Sequence, residues 1–211
     1  MLLQRILTAL VLIPLVLWLV LFANTETFSI AMMAVISVAA YEWAMLSGLA
    51  GIRQYLFAGL IFLLMLLIWH YVKIEDYQPL LVVISAVWLT LTIRLITQKT
   101  PVEVIKGISY TALLSGLVLL LIAWLAITRI HAIIHYGPHL VLALMVMIWI
   151  ADSAAYFSGR LFGKNKLSPQ VSPGKSWEGV AGGLIGVAVF GYLLVSHPYF
   201  HQVNPFVLSL V

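Results

Sequence analysis

Residues 139–179 read HLVLALMVMIWIADSAAYFSGRLFGKNKLSPQVSPGKSWEG. An apolar run at 141–151 leads without a break into Asp152, and from there to Gly179 the chain is polar, basic and rich in small residues. Arg160, Lys164, Lys166 and Lys175 are four of the chain's eleven Lys and Arg residues, with Asp152 at the head of the stretch and Glu178 near its end. Spanning segments solvate charge poorly, so a connection that gathers charge in an oily chain is where chemistry is expected.

The rest of the sequence is that oily chain. It is 64% hydrophobic and 9% charged, with a mean hydropathy of +1.12. Soluble domains run at roughly 45–50% apolar and about 25% charged. The same figures exclude a disordered chain. Apolar runs read as spans occur at 6–23, 28–49, 55–71, 79–96, 109–127, 139–151 and 179–195. No short alternating segments of the β-barrel kind are visible. The fold class is therefore all-α: a polytopic integral membrane helical bundle, about seven transmembrane spans plus the start of an eighth. That eighth is opened by residues 205–211, which fall far short of the ~20 needed to cross, so the chain reads as C-terminally truncated. The domain expectation is one transmembrane domain over 1–211, with 152–178 as a polar loop carrying the candidate site.

The first run is too long for a signal-peptide core of roughly 7–15 residues and ends in a poor cleavage site, so it reads as an uncleaved span. Pro14 inside it is tolerated when neighbours re-satisfy the freed carbonyl. If the spans alternate, the N-terminal side carries Arg5, Arg53, Arg94, Lys99, Lys106, Arg160, Lys164, Lys166 and Lys175. The opposite side carries only Lys73 and Arg129. This asymmetry places the N-terminus and the 152–178 loop in the cytoplasm.

With no cysteine in the chain, disulfides, thiolate zinc sites and cysteine nucleophiles are excluded. His131, His135 and His139 have helical metal-face spacing, but Gly137 and Pro138 interrupt such a helix, and all six histidines read as interfacial. Glu42 inside the second span reads as one half of a structural pair with an arginine. Gly179, Gly182, Gly183 and Gly186 form overlapping small-xxx-small patterns that mean close helix packing.

Within 152–178, Asp152 sits at the membrane boundary, where a carboxylate is costly without a partner or a metal. The small residues around it leave room for a ligand. Ser172, Gly174, Lys175 and Ser176 bring hydroxyls, a flexible link and an ammonium together, which suits phosphate oxygens. A P-loop is excluded, because the motif requires a glycine at position 169 and that residue is Pro169.

Asp152, Ala155 and Tyr156, then Gly159, Arg160, Phe162, Gly163 and Lys164, then Ser172, Pro173, Lys175, Ser176, Glu178 and Gly179 resemble the central segment of the bacterial phosphatidate cytidylyltransferases, or CDP-diacylglycerol synthases. Weaker similarity extends upstream through Arg5 and Pro14 and through Tyr41, Glu42, Trp43, Ser47 and Gly48. The family's C-terminal signature, with its His-Gly-Gly and closing Asp-Arg-x-Asp, does not occur in these 211 residues.

The resemblance implies a nucleotidyltransferase of phospholipid biosynthesis that condenses CTP with phosphatidic acid, releasing pyrophosphate. It makes Asp152 and Lys175 the candidate catalytic residues, and Arg160, Lys164, Lys166, Ser172, Ser176 and Glu178 the candidate substrate-binding residues. Glu178 has the equal alternative of a helix N-terminal carboxylate favoured by the dipole. A divalent Mg2+ is implied as cofactor, with Asp152 as one ligand and others expected beyond Val211. The implied partners are CTP, phosphatidic acid and membrane lipids, with no nucleic acid and with room for a homodimer. The implied location is the bacterial inner membrane. Two readings compete: a multi-span transporter or channel subunit with a basic regulatory loop, and a lipid kinase that shares the loop but uses ATP.

Overall fold

A computed structural model describes residues 2–71, 78–97, 107–169 and 171–200. Its elements in order are α1 (Leu2–Leu21), α2 (Thr25–Leu46), α3 (Ile52–Tyr71), α4 (Gln78–Thr97), α5 (Tyr110–His131), α6 (Gly137–Phe162), β1 (Lys166–Ser168), β2 (Ser172–Ser176), α7 (Trp177–Ser196) and a short 3-10 turn at Pro198–Phe200. Among the described residues, α2, α3, α5, α6 and α7 are each long and apolar enough to cross a membrane. The expected start of an eighth span lies outside the described residues, as do Lys73, Lys99, Glu103 and Lys106.

The helices start and stop for local reasons. Asn24 caps α2, its side-chain oxygen accepting from the Thr27 N–H at 2.8 Å, and Glu26 adds a carboxylate to the first turn. Ser109 caps α5 in the same way, accepting from Ala112 N–H at 3.3 Å. At the end of α2, Gly48 takes a φ of +89°, and the N–H of Leu49 reaches back to the carbonyl of Ala44 at 3.0 Å. This is the left-handed helix terminator that glycine supplies without strain.

The chain divides into two compact units. The first comprises α1, α2, α3, α5 and the opening turn of α6; the second comprises α4, the rest of α6, the hairpin and α7. In the first unit α2 packs on α3 and α5 around the fully buried Phe28, Met33, Ile61, Met65 and Trp124. Polar atoms inside it are paired: Trp124 Nε1 donates to the Ser29 carbonyl at 3.2 Å, and Trp43 Nε1 to the Ala112 carbonyl at 2.7 Å. Gly116 lies so close to the Trp43 ring that no Cβ fits there. Trp43→Phe deletes the donor and leaves part of the indole's volume beside Gly116 empty, so it is expected to cost at least about 1 kcal/mol, the worth of the hydrogen bond alone. A drop of a few degrees in the melting temperature of the solubilised protein would register it.

Large apolar side chains face outward from both units, among them Val11, Val38, Leu56, Leu89, Leu114 and Leu184. Such coverage is incompatible with water and suits lipid tails. The protein is a multi-pass membrane protein.

Three readings of the sequence need correction. Residues 152–178 are not one connection: α6 runs on to Phe162, and a two-stranded antiparallel hairpin, β1 against β2, fills most of the remainder. Ala, Tyr, Phe, Leu and Arg all sit comfortably in a helix, so charge marked the end of the apolar stretch without ending the helix. His131 is buried rather than interfacial, 3% exposed. It stacks on Phe28 with ring centroids 4.0 Å apart, and its ring nitrogens meet Thr25 Oγ1 at 3.2 Å and the Val20 carbonyl at 3.0 Å. Glu42 is exposed and, among the described residues, has no arginine partner.

Candidate active site

The polar stretch folds within the second unit as helix, hairpin, helix. Small residues let α6 and α7 come together: a Cβ added at Gly183 would lie 3.2 Å from the Ala151 carbonyl, and one at Gly186 would lie 3.0 Å from Ala154 Cβ. At Gly182 an added Cβ would run into Ser158. The glycine pattern thus serves close helix packing, as its spacing suggests.

Where the helices leave this seam, the hairpin bridges them. β1 and β2 pair Lys166 with Ser176 and Ser168 with Ser172. The turn between them closes through the Val171 N–H on the Ser168 carbonyl at 3.2 Å, with Pro169 at the corner where its fixed φ is favoured. Ser176 ends β2 and caps α7, its Oγ accepting from the Gly179 N–H at 3.2 Å. That oxygen also fills the space beside Gly159, Gly163 and Gly179, lying 3.3, 2.7 and 3.4 Å from where their Cβ atoms would be. A single buried hydroxyl therefore knots the end of α6, the link after it and the start of α7.

A cleft of about 460 Å3 opens at this knot. One wall is the outer face of α6, carrying Asp152, Tyr156 and Arg160 at helical spacing. The other is Gly174, Lys175 and Ser176 from β2 with Gly179 and Val180 from α7, and Leu167 lies between them. Arg160 stands in the last turn of α6, where the helix dipole favours a cation, and its Nη1 donates to the Tyr156 hydroxyl one turn back at 3.0 Å. Asp152 is exposed on the cleft wall and, among the described residues, has neither hydrogen bond nor ion pair.

Of the residues singled out from the sequence, Asp152, Arg160, Lys175 and Ser176 meet in the cleft. Lys164, Lys166 and Ser172 do not line it; the two lysines are exposed on the link and on β1, and Ser172 is half-buried opening β2. Glu178 lies in the first turn of α7 and is taken up by Asn165. Its Oε1 accepts from Asn165 Nδ2 at 2.8 Å and from the Asn165 N–H at 3.1 Å, and the Asn165 carbonyl accepts from the Trp177 N–H at 2.9 Å. Tyr156, named in the sequence only as part of the motif, and Asn165 are the residues to which sequence reasoning gave no site role. Tyr156 was readable from its spacing with Asp152 and Arg160. Asn165 had no signal beyond its place between two lysines.

The arrangement can neutralise a crowded anion: a guanidinium and an ammonium line one cleft that also presents a carboxylate without a partner among the described residues. Magnesium binds through one or two carboxylates together with substrate phosphates rather than through a protein cage. A single unpartnered Asp152 fits that pattern. No group of three or more His, Asp or Glu side chains able to hold a metal occurs among the described residues.

The model of the cytidylyltransferase family matches residues 3–211. A protein of Pseudomonas aeruginosa named phosphatidate cytidylyltransferase is 40% identical over 186 residues, covering 87% of this chain and 67% of that protein. One of the same name from Haemophilus influenzae is 32% identical over 212 residues, covering 92% of this chain and 73% of that protein. A third, from Bacillus subtilis, is 30% identical over 186 residues, with 86% and 67% covered. The transporter reading finds no support in these matches. With its helices, its hairpin and its cleft all inside the matched length, the chain belongs to the cytidylyltransferase family.

Proposed function

We propose that the protein is a phosphatidate cytidylyltransferase, joining CTP to phosphatidic acid to give CDP-diacylglycerol and pyrophosphate. The observation that carries this reading is the cleft itself: Arg160, in the last turn of an apolar helix, and Lys175 line it together with the carboxylate of Asp152. A soluble nucleotide and a lipid headgroup can meet only at such a rim. Relatives of the same name over most of the chain support the choice of substrates.

In the reaction a phosphate oxygen of phosphatidic acid attacks the α-phosphorus of CTP. The new P–O bond forms as the bond to the β-phosphate oxygen breaks, and pyrophosphate leaves with that electron pair. No covalent intermediate on the protein is needed, so catalysis is alignment and charge neutralisation. Arg160, with a planar fork of donors, grips phosphate in two-point fashion. Lys175 places an ammonium on the facing strand, and Lys164 and Lys166 add positive potential that draws the nucleotide in. Ser176 is committed to its cap and holds the cleft's floor. Asp152 would hold a Mg2+ together with substrate oxygens; bound there, the ion supplies further neutralisation of phosphate charge.

In this reading α1 to α7 all span the bilayer, the N-terminus and the hairpin face the cytoplasm, and the membrane is the bacterial inner membrane. The excess of Lys and Arg on one side of the alternating spans supports that orientation. The test is incorporation of labelled CTP into extractable lipid by the full chain in phosphatidate-containing vesicles. Mg2+-dependent labelling that excess ATP does not compete away is the expected result. Folded protein that labels no lipid under any divalent cation would sink the proposal.

A further inference from the structure

We infer that Asn165 is a positioning residue that keeps the Glu178 carboxylate from neutralising the lysines around it. The inference rests on the cleft's being a CTP site. Glu178 is the carboxylate on α7's first turn, and Asn165 stands directly between Lys164 and Lys166. A carboxylate bonded to the N–H of residue 165 lies within reach of both lysine stems, which begin one residue away, about 3.8 Å along the chain. An ammonium partner would be the ordinary outcome. Instead Glu178 accepts from the neutral Nδ2 of Asn165 at 2.8 Å and from the Asn165 N–H at 3.1 and 3.3 Å. Among the described residues, Arg160, Lys164, Lys166 and Lys175 have no ion-pair partner.

The consequence is electrostatic. The carboxylate is satisfied by donors that carry no net charge, so no ammonium is drawn into an ion pair with it and each remains available to an incoming polyphosphate. The tether between the hairpin and α7 does not depend on the amide: the Asn165 N–H and carbonyl hold Glu178 and Trp177 through backbone atoms alone. Asn165→Ala therefore removes the neutral decoy and leaves the three hydrogen bonds through the backbone of residue 165 in place. The carboxylate, short of the amide donor, then takes a lysine in its place, and an exposed pair of that kind is worth up to a roughly five-fold loss in anion affinity.

The experiment measures binding of CTP, and separately of inorganic tripolyphosphate, to the full chain in nanodiscs at low salt. Asn165→Ala is expected to weaken both ligands about three- to five-fold. Adding Glu178→Gln to that variant removes the competing charge and is expected to restore the loss. A double variant as weak as Asn165→Ala would show that the amide acts only as a tether, and would overturn the inference. Glu178→Gln alone, which needs no change at Asn165, is expected to bind both anions at least as tightly as the unaltered chain; weaker binding would also overturn it. An unaltered chain that binds tripolyphosphate but not CTP defeats the choice of nucleotide and leaves the comparison to be decided with tripolyphosphate. Binding of neither anion defeats both the functional reading and the inference.

Discussion

Asp152→Ala is expected to lower the rate of CDP-diacylglycerol formation at saturating substrate by at least ~100-fold, with the fold intact. Removing one preorganised charge from a site that works by electrostatic stabilisation costs about 10²–10³ in kcat. The fold should survive because, among the described residues, Asp152 makes no hydrogen bond and no ion pair. A carboxylate at the end of an apolar run, doing no structural work, is retained at a cost to stability. The same variant should therefore melt at or above the temperature of the unaltered protein. Asp152→Asn, nearly identical in shape, separates charge from size. A variant that keeps more than a tenth of the activity would remove Asp152 from the catalytic residues.

The second large effect is on folding. Gly182→Ala is expected to destabilise the pairing of α6 with α7 by about 1–3 kcal/mol, the usual cost of overpacking a filled interface. The added Cβ would collide with the Ser158 side chain and would stand 3.1 Å from the Ala154 carbonyl. Ser158 cannot swing aside freely, since its hydroxyl donates to that carbonyl at 2.6 Å. Ser158→Gly in the same chain opens the space and should recover most of the loss. Thermal unfolding of the solubilised protein, followed by size-exclusion, measures both. Full stability of Gly182→Ala would mean that the seam is looser than its geometry indicates.

The same two neighbourhoods separate what was legible in the sequence from what was not. The helices were legible because water and lipid sort residues over stretches of about 20, and the breaks at Asn24 and Ser109 carry capping side chains. The close packing of α6 on α7 was legible from the spacing of Gly179, Gly182, Gly183 and Gly186. The extent of α6 was not, because Asp152, Arg160 and their small neighbours look like a loop when polarity is the only guide. Nothing in their backbone preferences stops a helix. The hairpin was hidden for a different reason. Its strands are short and polar and lack a buried face, so no alternation marks them, and Pro169 had been informative only for excluding a P-loop. Asp152, Arg160 and Lys175 were nonetheless singled out, since charge in an apolar chain stands out by composition, and the fold brings them to one cleft. The partner of Glu178 was not, because a hydrogen bond across 13 positions leaves no periodic trace.

The seam between α6 and α7 has one more consequence. Interfaces built from large side chains adjust by changing rotamers, but backbones that meet through glycine and alanine have no rotamers to change. The separation of the two helices is thus set largely by main-chain and Cβ contact, with Ser158 and Ile150 as the larger side chains in the seam. Asp152 and Arg160 on one helix and Val180 on the other form a fixed jaw. The hairpin that carries Lys175 is joined to that jaw through the hydrogen bonds of Asn165 and Ser176, so Lys175 is placed by hydrogen bonding where Asp152 and Arg160 are placed by helix packing.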